Sequence, residues 1–402
     1  MVDTVALLER APAALRRLAY RVAAGRGPLG RAADAARFRF SDDQIPRLPQ
    51  PGSAPVRLVF GPANSAGQGY QWARAAERNM RDVTATAVQG IGSNPFLPDD
   101  DLRIPVAVYQ RSASWHAAFE SYLSRQTHVV WESGLPLLGR RYGSDVLREL
   151  AHLQRSGVKG ALMFHGSDIR PPSVHAALSP WSPFHRSSGP VHALSETASA
   201  NAALAAAAGV PVFVSTPDLL QWVAGAFWCP VVVDPAPWRA ATAGESSAVV
   251  VVAHAPSQKW MKGTDRIEPM LRRLSEEGVI DYQQVVGIPH SAMPDFYARA
   301  DIVLDQFALG SYGVAACEAM ATGRLVMGHI EEATRAEVHE RTGLELPIHE
   351  ATIETLEAEL RRAAAEPQQF ELVRAAGPAF VEEVHDGRRS AAALASFLGV
   401  RA

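Results

Sequence analysis

Between Val249 and Ile330 the chain alternates short apolar runs with helix-length segments, a pattern that leaves room for little besides a parallel sheet wrapped by helices. The first run ends in His254-Ala-Pro-Ser-Gln-Lys-Trp-Met-Lys262-Gly-Thr-Asp265. A later one ends in Asp305-Gln-Phe-Ala-Leu-Gly310-Ser-Tyr-Gly313 and passes into Val-Ala-Ala-Cys-Glu318-Ala-Met-Ala-Thr-Gly323. A cation thus follows one strand, and a glycine turn feeding a helix N-terminus follows another. A carboxylate then lies about a turn and a half into that helix.

These groups suit a nucleoside diphosphate. Lys262 and Lys259 would meet its phosphates as ammonium charges. The amides along Gly310, Ser311, Tyr312 and Gly313 would add donors and the positive end of a helix dipole. Glu318 would accept from vicinal ribose hydroxyls, as acidic residues do in other nucleotide sites. Each has a plainer reading: Lys262 as a solvated lysine near a helix start, Glu318 as a glutamate answering the helix dipole. Their shared neighbourhood favours the site. The chain holds 39 Lys plus Arg, yet lysine stands only at Lys159, Lys259 and Lys262, so the compact cation is concentrated in one tetrapeptide.

With 402 residues, 47% of them hydrophobic, the chain exceeds what one core usually serves, and two domains are expected. A net charge of -3 gives no basic surface of the kind that nucleic acid requires. The two cysteines, Cys229 and Cys317, sit in apolar settings and provide neither a disulfide framework nor a cysteine metal site, which fits a reducing cytoplasm. No apolar run approaches the roughly 18 residues of a membrane span. Glu9, Arg10, Arg16, Arg17 and Arg21 interrupt any secretory signal. Residues 7–22 form an amphipathic helix candidate, with Leu7, Leu8, Ala11, Leu15, Leu18 and Val22 on one side and Arg10, Arg17 and Arg21 on another. Peripheral contact with an anionic membrane surface is one reading of it. A helix docked on its own protein or left mobile is the preferred one.

The expected organisation is a basic leader over 1–50, an N-terminal Rossmann-like domain over 51–235 and a C-terminal one over 236–402, whose last helix is free to cross back. Strands are expected at Val56–Phe60, Val83–Val88, Val106–Tyr109, His128–Trp131, Ala161–Phe164 and Val212–Val214. The second series is expected at Ala248–Ala253, Gln284–Gly287, Ile302–Leu304 and Leu325–Gly328, followed by helices over 351–365 and 378–398. The first strand enters a glycine-rich turn, Gly61-Pro-Ala-Asn-Ser-Ala-Gly67-Gln-Gly69. There Gly67 and Gly69 either make a tight βα turn or admit a substrate oxygen, and the second reading is preferred. Glu132 follows an apolar strand and is a candidate acceptor contact, while His254, His290 and His329 read as structural.

The segments Lys259-Trp-Met-Lys262-Gly-Thr-Asp, Met293-Pro-Asp-Phe-Tyr-Ala-Arg-Ala-Asp301-Ile-Val-Leu-Asp305-Gln and Gly310-Ser-Tyr-Gly313 through Glu318-Ala-Met-Ala-Thr-Gly323 together resemble the retaining GT-B glycosyltransferases of family 4. In the first half, Gly61 to Gly69 looks like the acceptor-side glycine loop and Phe164-His165-Gly-Ser-Asp168-Ile-Arg170 like a His-Gly turn. Ser215-Thr-Pro-Asp-Leu219 resembles the segment before the interdomain link. The resemblance spans roughly residues 56 to 390.

It implies an α/β chain with two doubly wound Rossmann-like domains facing a cleft, a donor nucleotide in the second domain, an acceptor against the first, and no required metal or other cofactor. Lys262 takes the place of the diphosphate lysine, Glu318 that of the ribose carboxylate, and His165 that of the histidine approaching the donor sugar from the opposite domain. Asp168 lies beside it on the sugar or acceptor side, where it and Arg170 could equally pair or cap a helix.

Two positions depart from the pattern. Gly310 stands where the family commonly has a second glutamate, which leaves sugar contacts to backbone amides or Asp305. His254-Ala-Pro-Ser replaces the usual Gly-Arg, so Lys259 becomes the candidate second cation. The expected reaction is hexosyl transfer from a nucleoside-diphosphate sugar to an acceptor hydroxyl with retention, the acceptor being lipid-linked, a polysaccharide or a small molecule. A nucleotide-sugar 2-epimerase and a donor-binding protein without turnover are the alternatives.

Overall fold

The computed structural model describes residues 39–90, 99–186, 188–241 and 249–401. The leader helix expected over 7–22 lies outside these residues. Two wholly parallel sheets carry the fold. The first joins β1 (Val56–Gly61), β2 (Val83–Gln89), β3 (Leu102–Arg103), β4 (His128–Glu132), β5 (Lys159–Phe164), β6 (Val212–Val214) and β7 (Phe227–Trp228). Their order across the sheet is β3-β2-β1-β4-β5-β6-β7. The second joins β8 (Val250–His254), β9 (Ile280–Gln284), β10 (Ile302–Leu304), β11 (Leu325–Gly328) and β12 (His349–Glu350), in the order β12-β11-β10-β8-β9.

Strand composition follows from burial on both faces. Every residue of β5 after Lys159 is buried, as are all of β4 and β11, and parallel sheets covered on both sides select such continuous apolar runs. Polar side chains mark where helices start: Asp145 accepts from the Arg148 amide at 3.2 Å ahead of the helix Val146–Arg155.

Each sheet has a switch point where strand order reverses, between β1 and β4 in the first and between β8 and β10 in the second. Ligands of open α/β sheets bind outside the strand C-termini at such points. Pairing of Leu304 with His254 makes the two loops of the second switch point leave the sheet side by side. In the first, Gly61 pairs with Trp131, which places the glycine turn beside Glu132.

Four details differ from the sequence reading. Val106–Tyr109 opens a helix, Val106–Arg111, because Val108 and Tyr109 are buried together while Val106 is exposed, a helical spacing and not an alternating one. The strand expected at Gln284–Gly287 runs instead over Ile280–Gln284. The helix expected over 351–365 begins only at Leu356. The long final helix is two, Glu371–Val384 and Arg388–Leu398. The second of these lays Ala391, Leu394, Phe397 and Leu398 against Leu58, Phe60, Trp72 and Phe213 of the first domain. The link is clamped as it passes: Ser390 Oγ and Trp72 Nε1 both donate to the Pro230 carbonyl, at 2.7 and 2.8 Å, and the Val233 amide donates to His385 O at 2.8 Å. Among the described residues no helix is long and apolar enough to cross a membrane.

Candidate active site

A cavity of about 350 Å³ opens where the two switch points face each other. The first domain contributes Ala66, Gly67, Tyr70, Gln71 and Asp99 to its wall. The second contributes Lys262, Asp305, Gly313, Glu318, His290 and the apolar run from Val285 to Ile288.

Lys262 closes the short helix Lys259–Lys262 and extends its Nζ to Asp305 Oδ1 at 2.9 Å. Gly313 is the N-cap of the helix Val314–Ala321 and receives no side-chain cap there, so the positive helix end faces the cavity. One turn deeper, Glu318 is 6% exposed and its Oε1 lies 2.7 Å from His290 Nε2. Burial lifts the Glu318 carboxyl above its ordinary range against the opposing pull of His290 and Lys262. His290 is raised in turn, chiefly by its hydrogen bond to Glu318 and with help from Asp99 across the cleft, burial opposing. Sequence reasoning read His290 as structural. Its approach to Glu318 depends on the path of the loop after β9, which no periodicity encodes.

The other sequence candidates of the second domain do not line the cavity. Lys259 turns outward to Glu268 Oε2 at 3.0 Å and Gln284 Oε1 at 2.9 Å. Tyr312 is 1% exposed and packs in the second core, its hydroxyl 3.3 Å from His385 Nε2. Ser311 donates to Asp218, whose other oxygen pairs with Arg170, so this loop residue is spent on a buried tie between the domains. Gly310 sits at φ +66°, and a Cβ there would meet Glu331 Cγ at 2.2 Å. A side chain at 310 is therefore opposed by both backbone and space.

On the first domain, Gly67 lines the cavity while Gly69 does not. A Cβ on Gly69 would stand 3.1 Å from Glu132 Oε2 and 3.2 Å from Asn64 Oδ1, so the glycine serves packing against that carboxylate. Glu132 is fully buried, accepts from the Asn64 amide at 3.0 Å and lies 3.1 Å from His165 Nε2. His165 also stacks on Trp72, with ring centroids 5.4 Å apart. Burial disfavours its charge, but Glu132 and then Asp168 outweigh that, and the imidazole titrates above its ordinary range. Asp168 accepts from the amides of His165 and Gly166, at 3.0 and 2.8 Å, and so shapes the turn that presents His165. His254 is fully buried, between Leu304 O and Thr264 Oγ1 at 2.8 Å each, and held neutral by burial with a pKa of about 4. His329 bonds Glu350 Oε1 at 2.7 Å and meets the edge of Trp181.

No family model matches the chain, and no curated protein matches it. Solved structures do. A sucrose-phosphate synthase from Thermosynechococcus elongatus superposes with a TM-score of 0.53 at 14% identity, over 85% of this chain and 97% of the other. HepE of Anabaena, in complex with UDP and glucose, gives 0.54 at 12% identity over 86% and 99%. The catalytic domain of starch synthase IV from Arabidopsis thaliana, bound to ADP and acarbose, gives 0.52 at 9% identity over 86% and 99%. At such identities the likeness is one of architecture, and that architecture, two parallel α/β sheets facing a cleft, is the GT-B fold of glycosyltransferases.

Proposed function

We propose that the protein is a glycosyltransferase of the retaining kind, moving a hexosyl unit from a nucleoside-diphosphate sugar to an acceptor hydroxyl. The observation that carries this reading is the convergence of Lys262, the uncapped helix end at Gly313 and the buried Glu318 on one interdomain cavity. Lys262 and the Gly313 helix end would hold the diphosphate, and Glu318, steadied by His290, would accept from the ribose diol. The likeness to a UDP-bound and an ADP-bound structure supports the same class of donor.

Charge gathers on the departing phosphate as the glycosidic bond breaks. The same cation and amides would stabilise that charge, most strongly where closure of the domains excludes water. In this reading no side-chain nucleophile and no metal takes part, and the leaving phosphate accepts the proton of the incoming hydroxyl. The acceptor enters from the Gly67 side, with Glu132, His165 and Asp168 fixing the turn behind it.

A thermal-shift and hydrolysis panel of UDP-, GDP-, dTDP- and ADP-sugars tests the assignment. One nucleotide should stabilise the wild type selectively, and Lys262→Ala should abolish that shift while folding normally. A wild type indifferent to all four donors sinks the reading.

A further inference from the structure

We infer that Asp305 recognises the transferred sugar by accepting one of its hydroxyl groups, an inference that rests on the nucleotide-sugar reading above. Asp305 follows β10 directly, lines the cavity and is 3% exposed. Its Oδ1 is bonded to Lys262 Nζ at 2.9 Å. Its Oδ2 is buried and has no hydrogen-bonding partner among the described residues. A carboxylate oxygen shut away from water without a donor is costly, and such atoms in folded proteins are met by a ligand or a held water.

The charge of the ligand decides which part of it answers. Phosphate oxygens are anionic acceptors, so Asp305 repels them and can offer them nothing. A hydroxyl is neutral and donates. The ligand carries two sets of hydroxyls, and the ribose set has its own acceptor in Glu318, oriented by His290. An ammonium has three donors. Lys262 can therefore keep Asp305 Oδ1 with one and hold a phosphate oxygen with another. The hydroxyl that reaches Oδ2 then belongs to the group attached to that same phosphate on the side away from the ribose, which is the transferred sugar. Lys262 and Asp305 act as one unit, the cation reading the phosphate and the carboxylate reading its sugar substituent.

The test compares the dissociation constants of UDP, UDP-glucose, GDP and GDP-mannose for the wild type and Asp305→Asn by titration calorimetry. The variant should hold or improve its affinity for the free diphosphate, since a negative charge beside the phosphates is gone, and this binding also reports a folded site. It should bind the matching sugar nucleotide at least about tenfold more weakly, the scale of a hydrogen bond to a charged acceptor. A shift by the same factor for the diphosphate and its sugar conjugate overturns the role of Asp305 and leaves the nucleotide site standing. A wild type that binds none of these four, nor the dTDP and ADP nucleotides and their sugars, overturns the nucleotide-sugar reading and this inference with it. Monodeoxy analogues of the bound sugar nucleotide, titrated into the wild type, provide a readout independent of mutagenesis. One analogue should lose about tenfold or more, because a buried acceptor left unpaired discriminates strongly, and equal binding by all overturns the proposal.

Discussion

The two switch points occupy equivalent places in their sheets and are finished in opposite ways. At the first, the groups left at the strand ends turn to one another: Glu132 takes the Asn64 amide with one oxygen and sets the other 3.1 Å from His165 Nε2, where neither atom completes a hydrogen bond, and Asp168 takes the amides of its own turn. At the second, Lys262, Asp305, Glu318 and the Gly313 helix end all face open space. The same topology thus yields one wall whose polar groups turn inward, away from the cavity, and one whose polar groups line it. Position in a fold nominates residues, but whether a side chain faces the cavity decides whether it can serve a ligand.

Cutting the tie between the two halves should have the largest effect. Asp218→Ala leaves Arg170, which is 4% exposed, as an unpaired buried charge and frees Ser311. Removing one partner of such a pair costs about 3–5 kcal/mol, measurable by denaturant unfolding. A loss below about 1 kcal/mol would mean that water replaces the carboxylate.

Next in size is the contrast between the two lysines of one short helix. Lys262→Ala should lower turnover about 10²–10³-fold, the scale of one lost donor to a developing charge. Lys259→Ala breaks only a partly exposed pair with Glu268 and should cost about threefold or less. Comparable kinetic losses would erase the distinction between a cation that lines the cavity and one that turns away from it.

The smallest effect belongs to the wall whose polar groups turn inward. His165 titrates above its ordinary value because Glu132 and Asp168 outweigh burial. The stability gained from its protonated form is complete below its unfolded pKa of about 6.5 and is lost as pH rises through the higher folded value. As pH rises above about 6.5 and through that higher folded value, the wild type should therefore lose stability relative to His165→Gln. Parallel stability curves would show that Glu132 and His165 do not share a proton in the folded protein.

Much of the second domain is legible in the sequence because its strands are short, apolar and punctuated, and because Gly313 and Glu318 lie on one helix whose period fixes their separation. Bond partners are harder to read. Nothing in Lys-Trp-Met-Lys reveals that one lysine finds Asp305 and the other Glu268. Ser311 and Tyr312 look as available as Gly313 until Asp218 and His385 are brought to them from remote parts of the chain. Val106-Ala-Val-Tyr was misread because β-branched and aromatic residues favour strands locally, whereas tertiary burial of Val108 and Tyr109 settles the matter. Gly310 shows the opposite case. That a glycine stands there is plain in the sequence, but the left-handed backbone and the Glu331 side chain that oppose any Cβ at this position are visible only in space.

The helix Arg388–Leu398 covers a face of the first domain, yet it is made only after the whole second sheet. On the ribosome, Leu58, Phe60 and Trp72 would wait uncovered while everything between is synthesised. Under domain-by-domain folding in the order of synthesis, the half made first is the half finished last, its core completed only when Leu394 and Phe397 arrive.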